Sequence, residues 1–314
     1  MNQLYFIFRI EEFDMKISLV GLSGCGKTSI YSTTLGGMAP MEVKDIGPTV
    51  MYEVKSHNYL GLQISLWDFG GQEKYRQSYL ETPKLLANTT ILVFVLDLHH
   101  PEDFMKADNY FKEVFAAIKE NGGDPRMVIF YHKYDTEEYP KEQLEENLTK
   151  ARELPFINEI DPESFITSIY RQEELSEVFR QILISDFDQL RDSVEHAQKH
   201  LMKLNSKVIV SDVNGNVITH SIKGFSTGIQ LREDLRDYIL SCNVLRENFL
   251  TSDSASFSAI SDTKKLQLHI FSFVLAVLIM IDEGAAIDPP EDIEALLKDM
   301  KVFAELIIEA SREE

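Results

Sequence analysis

The chain has little cysteine, little positive charge and no long apolar run, and each shortage removes a class of protein. Two cysteines in 314 residues, Cys25 and Cys242, cannot build a disulfide framework, which favours a reducing cytosolic setting. Lysine and arginine number 31 against 51 aspartates and glutamates, a formal charge of −20. That balance argues against nucleic acid, and against an anionic membrane surface gripped by broad electrostatics. A nucleoside triphosphate stays possible, because a backbone nest and one lysine hold phosphates locally whatever the global charge. The longest apolar run, Phe271 to Ile281, has roughly half the length a bilayer needs and reads as a buried strand. Glu11, Glu12 and Asp14 stand where a secretory signal would carry small residues, and Asn2 lacks the myristoylation pattern. The expectation is a cytoplasmic protein without a membrane span.

With 44% hydrophobic and 26% charged residues the composition is globular, and the length predicts about two domains. Residues 1–14 read as an N-terminal extension. A disordered tail is expected there, with an anchor using Leu4, Tyr5, Phe6, Ile7 and Phe8 as the alternative. Residues 15–185 alternate strand and helix. Lys16 to Val20 runs into a glycine-rich turn and a helix opening at Lys27, and Tyr52 to Tyr59 with Leu62 to Trp67 suggests a hairpin. Thr90 to Leu96 and Met127 to Tyr131 are unbroken apolar runs, as expected for central parallel strands covered on both faces. Asp103 to Asn121 has helical spacing and stops at Asn121-Gly122-Gly123; Phe165 to Ser168 and Glu173 to Ile184 give a last strand and helix. The fold class is α/β, a mostly parallel doubly wound sheet.

Residues 186–314 predict a smaller α/β domain. A helix from Asp186 to Leu204 precedes Lys207 to Asp212, Asn214-Gly215 and Asn216 to Ile222, a hairpin whose Asn-Gly turn asks for positive φ at both positions. A helix over Ile229 to Phe249 follows, then runs Ser254–Ser261, Lys264–Ile270 and Ser272–Ile281, then a helix opened by Pro289-Pro290. The order gives a five-stranded antiparallel sheet with helices.

The segment Gly21-Leu22-Ser23-Gly24-Cys25-Gly26-Lys27-Thr28 satisfies GxxxxGK[ST] between a strand and a helix start. Its N–H groups suit the β-phosphate. Lys27 would reach β- and γ-phosphate oxygens, Thr28 would ligate Mg²⁺, and Ser29 continues the loop into the helix. About forty residues on comes Asp68-Phe69-Gly70-Gly71-Gln72. Here Asp68 can hold Mg²⁺, the Gly71 N–H can approach the γ-phosphate, and Gln72 can orient the attacking water. Thr49, in Gly47-Pro48-Thr49, is a candidate to close on metal and γ-phosphate. The base is read by His132-Lys133-Tyr134-Asp135: a carboxylate accepts two parallel N–H bonds from guanine and none of that pair from adenine. Lys133 would lay its stem on the base. His132, where Asn is usual in GTPases, offers a ring N–H towards the phosphate loop or the base. Thr167-Ser168-Ile169 supplies contacts on guanine's other side.

Taken together, Gly21 to Ser29, Trp67 to Gln72, His132 to Asp135 and Thr167 to Ile169 resemble the Rag/Gtr family of small GTPases, and the likeness extends from Met15 over nearly all of the chain. His in the base motif fits that family and is atypical of Ras, Rab and Arf types. Gly-Pro-Thr at 47–49 and Gly-Gly-Gln-Glu-Lys-Tyr-Arg from Gly70 are as similar to Arf and Rab switches. The resemblance implies a GTP/GDP switch with Mg²⁺ and slow hydrolysis unless an activating protein assists. It also implies a C-terminal roadblock-type domain that pairs two GTPases as a homo- or heterodimer. Exchange proteins and an effector complex at an organelle surface are implied too. Two alternatives stand beside the switch: a GTP-locked, non-hydrolysing assembly protein, and an Arf/Rab-like trafficking GTPase. A P-loop kinase or ATPase would leave Asp135 unused.

Overall fold

A computed structural model describes residues 15–36, 38–44, 46–59, 62–185, 188–222, 234–242, 254–260, 264–284 and 286–310. The reading of 1–14 as a disordered extension lies outside them. Two compact units emerge, one formed by Asp14–His57 with Ile64–Phe179, the other chiefly by Arg180–Glu314.

The first unit is a six-stranded sheet. Its strands are β1 (Met15–Val20), β2 (Tyr52–Tyr59), β3 (Leu62–Phe69), β4 (Ile91–Asp97), β5 (Arg126–His132) and β6 (Glu163–Thr167), in the order β2-β3-β1-β4-β5-β6. From β3 across to β6 every pairing is parallel. Continuous apolar runs are what such a position demands: Ile17, Leu19 and Val20 of β1 and Ile91 to Leu96 of β4 are all buried. The helices are α1 (Lys27–Thr34), α2 (Glu73–Glu81), α3 (Phe104–Glu120), α4 (Lys141–Arg152), α5 (Pro155–Ile160) and α6 (Gln172–Ile184). The face of α3 made by Ala107, Tyr110, Phe111, Val114 and Ile118 is buried, and Phe111 stacks on Phe94 of β4 at 4.3 Å. Chain reversal ends α3. Gly122, at φ 79, donates to the Lys119 carbonyl and Gly123 to that of Ile118, a Schellman arrangement that satisfies carbonyls the last turn leaves open.

In the second unit α7 (Asp188–Leu201), β7 (Lys207–Asp212), β8 (Val217–His220), a helix over 234–242 (α8), β9 (Ser254–Ile260), β10 (Lys264–Phe271), β11 (Leu275–Asp282) and α9 (Pro290–Ala310) follow in order. The sheet β8-β7-β11-β10-β9 is antiparallel throughout, with β9 at one edge. Leu235, Ile239 and Cys242 of α8 pack on Ile209, Leu268, Ile270 and Ala276. That burial accounts for two of the apolar residues expected over 229–249, while Leu240 is exposed and Ile229, Val244 and Leu245 lie outside the described residues. The fold is thus a P-loop α/β domain and a roadblock-like five-stranded antiparallel sheet with helices.

Two turns differ from expectation. At 213–216 only Gly215, φ 82, is left-handed. Asp212 instead organises the loop, its Oδ1 accepting the N–H groups of Asn214 and Asn216, each at 2.9 Å. The apolar run Phe271 to Ile281 is not one strand. Ser272 (φ 48) and Phe273 (φ 60) make the tight reversal between β10 and β11 that needs positive φ at both positions, without glycine.

One buried carboxylate ties α3 to α5. Asp108, 2% exposed, accepts the N–H groups of Phe156 at 3.0 Å and Ile157 at 3.1 Å, donors that the first turn of α5 cannot satisfy internally. Asp108→Ala should cost about 2–3 kcal/mol of stability by stranding two buried donors, and Asp108→Asn less. Urea unfolding measures this; an unchanged midpoint for the alanine variant contradicts the assignment.

Candidate nucleotide site

Strands β1, β3, β4, β5 and β6 all end on the same side of the sheet, and the loops leaving those carboxyl ends carry the motif residues, as open α/β sheets require of a ligand crevice. Residues 21–26 leave β1, Asp68 to Gln72 finish β3 and enter α2, Asp97 finishes β4, His132 finishes β5, and Thr167 finishes β6.

Close packing shapes the first loop. Gly21, Gly24 and Gly26 have φ values of 153, 78 and 97, and Gly26 caps α1 in the left-handed region. A Cβ on Gly21 would lie 2.5 Å from the Val95 carbonyl and 2.8 Å from the Cys25 sulfur; one on Gly26 would lie 2.7 Å from the His132 ring. Ser23 and Gly24 are exposed, whereas Cys25 is buried and Ser29 partly so. Lys27 is 5% exposed, and its Nζ donates to the carbonyls of Gly21 (3.0 Å) and Leu22 (2.9 Å). A buried ammonium held by neutral carbonyls at a loop of this shape is suited to an anion.

Three oxygens meet beside it. Thr28 Oγ1 donates to Asp68 Oδ2 at 2.5 Å and lies 2.7 Å from Thr49 Oγ1, which itself donates to Asp68 Oδ2 at 3.0 Å. Asp68 is 2% exposed, and its second oxygen, Oδ1, is buried with no hydrogen-bond partner. An ionised carboxylate with one orphaned oxygen is costly, and a hard divalent cation offsets that cost. Mg²⁺ therefore fits this donor set. The loop holding Thr49 is fastened to the end of β3: the Gly70 N–H donates to the Met51 carbonyl at 2.6 Å, and the Tyr79 hydroxyl of α2 donates to the same carbonyl. Gly71 presses on the phosphate loop, where a Cβ would overlap the Leu22 carbonyl and the Ser23 nitrogen. Gln72, half exposed, caps α2 in extended conformation directly after it.

The base-motif residues gather at the ends of β5 and β6. His132 is 1% exposed, its Nδ1 is 2.9 Å from Thr167 Oγ1, and burial pushes its pKa down to about 3, so the ring is neutral at physiological pH. It lies against Gly26, which is how this residue reaches the phosphate loop. Lys133, with φ 63, donates to the Gly24 carbonyl at 2.8 Å and to Asp97 Oδ2 at 2.5 Å. Asp135 Oδ1 accepts from the Ser168 hydroxyl at 2.5 Å, and burial raises the carboxyl's pKa. Ile169, next to Ser168, is half-buried.

Asp97, His99 and Tyr139 are not among the sequence candidates, yet they adjoin this cluster. Asp97 anchors Lys133, and His99 stacks on Tyr139 at 3.9 Å with its Nε2 3.9 Å from Asp135 Oδ2. Burial lowers the pKa of His99, opposed by Asp97 and Asp135. The signal that could find Asp97 is its position: it ends an apolar parallel strand, where α/β sheets bind ligands.

The family described as "Gtr1/RagA G protein conserved region" matches residues 16–227. The chain is 27% identical over 264 residues to Ras-related GTP-binding protein A of Dictyostelium discoideum, covering 79% of this chain and 85% of that one. Against GTP-binding protein gtr1 of Schizosaccharomyces pombe the identity is 28% over 49% of this chain and 51% of the relative. GTP-binding protein GTR1 of Saccharomyces cerevisiae is 25% identical over 62% of this chain and 64% of its own. With most of its length matched and its P-loop, metal-site and base-site residues gathered at one sheet end, this chain belongs to the Gtr1/RagA family of GTP-binding proteins.

Proposed function

We propose that the protein is a guanine-nucleotide switch that binds GTP or GDP with Mg²⁺, hydrolyses GTP, and signals through partners that distinguish the two states. The observation that carries this reading is the meeting of Thr28, Thr49 and the half-orphaned Asp68 carboxylate beside Lys27. Thr28, Thr49 and Asp68 are the residues to hold the metal, whose chemistry is charge neutralisation on the β- and γ-phosphates. Lys27 exchanges its carbonyl partners for phosphate oxygens. N–H groups of the loop from Gly21 to Gly26, with Thr28 and Ser29 at the helix start, embrace the phosphates. Gly71 supplies a backbone N–H near the γ-phosphate and Gln72 positions the water. Asp135 selects guanine, Lys133 covers the base, His132 braces the phosphate loop, and Ser168 with Ile169 closes the far side.

Residues 15–185 form the GTPase domain in this reading and 186–314 the pairing domain. Support for pairing comes from edge strand β9, where Ser256, Ser258 and Ala259 are exposed and Ile260 is 77% exposed. Small residues permit close backbone approach, and an uncovered edge carrying an isoleucine is a hazard that a second domain removes. Activating and exchange proteins set the cycle. No helix among the described residues is long and apolar enough to cross a membrane, so any endomembrane residence comes through an effector complex.

Three outcomes test the reading. Asp135→Asn should weaken GTP binding by roughly 10²-fold or more and let xanthine nucleotides compete, because the paired N–H acceptor is lost. Titration with fluorescent nucleotides reads this, and wild-type affinity in the variant refutes the base site. Gln72→Leu should bind nucleotide normally and hydrolyse it at least roughly tenfold more slowly in single turnover. Equal rates would favour the non-hydrolysing assembly protein. In sedimentation, the 36.0 kDa chain should run as a dimer with itself or with a related GTPase, and Ile260→Lys should weaken that pairing while sparing nucleotide binding. A monomer at micromolar concentration, with no co-purifying relative, contradicts it.

A further inference from the structure

Far along the chain from the nucleotide motifs, three side chains of the C-terminal unit aim at one point. His196 and His200 stand four residues apart on α7, so their rings project from adjacent turns of one helix face. Asp299 comes from the middle of α9, the helix that packs against α7. His196 Nε2 is 3.3 Å from Asp299 Oδ2, His200 Nε2 is 3.1 Å from the same oxygen, and the two imidazole nitrogens are 3.3 Å apart. Among the described residues this is where three histidine, cysteine or acidic side chains offer ligand atoms to a common centre.

The triangle's size is diagnostic. A tetrahedral ion with metal–nitrogen and metal–oxygen bonds of about 2.0–2.1 Å holds neighbouring ligand atoms about 3.3–3.4 Å apart. The three measured edges, 3.1 to 3.3 Å, match that spacing closely. A second observation is independent of the first. Asp299 Oδ2 is sealed from solvent and accepts no hydrogen bond, although two imidazole nitrogens stand within ion-pair distance. A buried carboxylate oxygen without a donor is costly, and a cation at the centre of the triangle satisfies it together with both ring nitrogens. The scaffold is already fixed. Val194, Ala197 and Leu201 of α7 and Leu296, Met300 and Phe303 of α9 are buried, so the backbones carrying the three ligands are held by packing. His196 is the outermost ligand, with its side chain 60% exposed, which provides an entry path and leaves room for water as a fourth ligand.

We propose that His196, His200 and Asp299 form a binding site for a divalent transition-metal ion of the zinc class, which staples α7 to α9. Two imidazoles and one carboxylate suit Zn²⁺, Co²⁺ or Ni²⁺, and select against Mg²⁺ and Ca²⁺, which favour all-oxygen shells. The site is separate from the Thr28–Thr49–Asp68 donor set, and its test keeps that set occupied.

Full-length protein saturated with GDP and Mg²⁺ is titrated with Co²⁺. One equivalent should produce the visible d–d absorption of a tetrahedral ion, bleached on adding Zn²⁺. Zn²⁺ should also raise the thermal unfolding midpoint by several degrees at concentrations well above its dissociation constant. His196→Gln, a change at an exposed position, and His200→Ala should each lower Co²⁺ affinity by at least about 100-fold and abolish the thermal shift, with GDP affinity unchanged. Absence of visible absorption in the wild type, or absorption that survives in both variants, overturns the site. Should His200→Ala unfold, His196→Gln and Asp299→Asn decide the question by the same two readouts.

Discussion

Everything at the nucleotide end of the first unit depends on three backbone approaches that leave no room for a β-carbon. Gly21 meets the Val95 carbonyl of β4, Gly71 meets Leu22 and Ser23, and Gly26 meets the His132 ring. Each contact joins loops that leave different strands. Because those strands run parallel and end together, the loops arrive at the same place; because the residues are glycines, they can touch. Interposing even a methyl group would separate the metal oxygens from the phosphate loop. The apolar sheet beneath supplies the rigidity: β1 and β4 are buried throughout their apolar lengths, so strand ends cannot shift to relieve a clash.

Within that frame, electrostatics are arranged around deficits. Lys27 is a buried cation with only carbonyl partners and the Cys25 sulfur, Asp68 a buried anion with one oxygen unmatched, and Asp135 a carboxylate whose pKa burial raises. Each departs from the rule that buried charge is compensated, and each stands where the motifs expect a phosphate, a cation or a base. His132 goes the other way. Burial makes it a neutral strut, so the substitution of histidine for asparagine exchanges an amide for a rigid ring that packs against Gly26 and bonds Thr167.

How much was legible in the sequence follows from range. Parallel strands announce themselves by unbroken apolar runs, and the helix opening at Lys27 by its glycine turn, because these signals are local. The helices α2, α4 and α5 carry no comparable signal. In α2 and α4 charged and amide side chains dominate and few residues are buried, while α5 has only six residues. Its anchor is Asp108, roughly fifty residues upstream. The turns mislead in opposite senses. Asn214-Gly215 has the composition of a two-residue reversal, yet Asp212 imposes a longer loop; Ser272-Phe273 has no such composition, yet strand pairing forces both residues into the left-handed region. Site residues inside motifs can be named from sequence. Asp97, His99 and Tyr139, and the meeting of His196 and His200 with Asp299, require knowing which elements touch.

Two lysines from separate motifs grip the same loop from its carbonyl side, Lys27 at Gly21 and Leu22, Lys133 at Gly24. A glycine-rich segment of this length would otherwise sample many shapes, since glycine restricts the chain least. Held at three carbonyls, the loop keeps its curvature before any ligand arrives, and the entropy of ordering it is lost during folding, not during binding. Affinity for a phosphate then reflects contacts alone, and the rate of capture is set by diffusion and side-chain exchange instead of by a search for the bound shape.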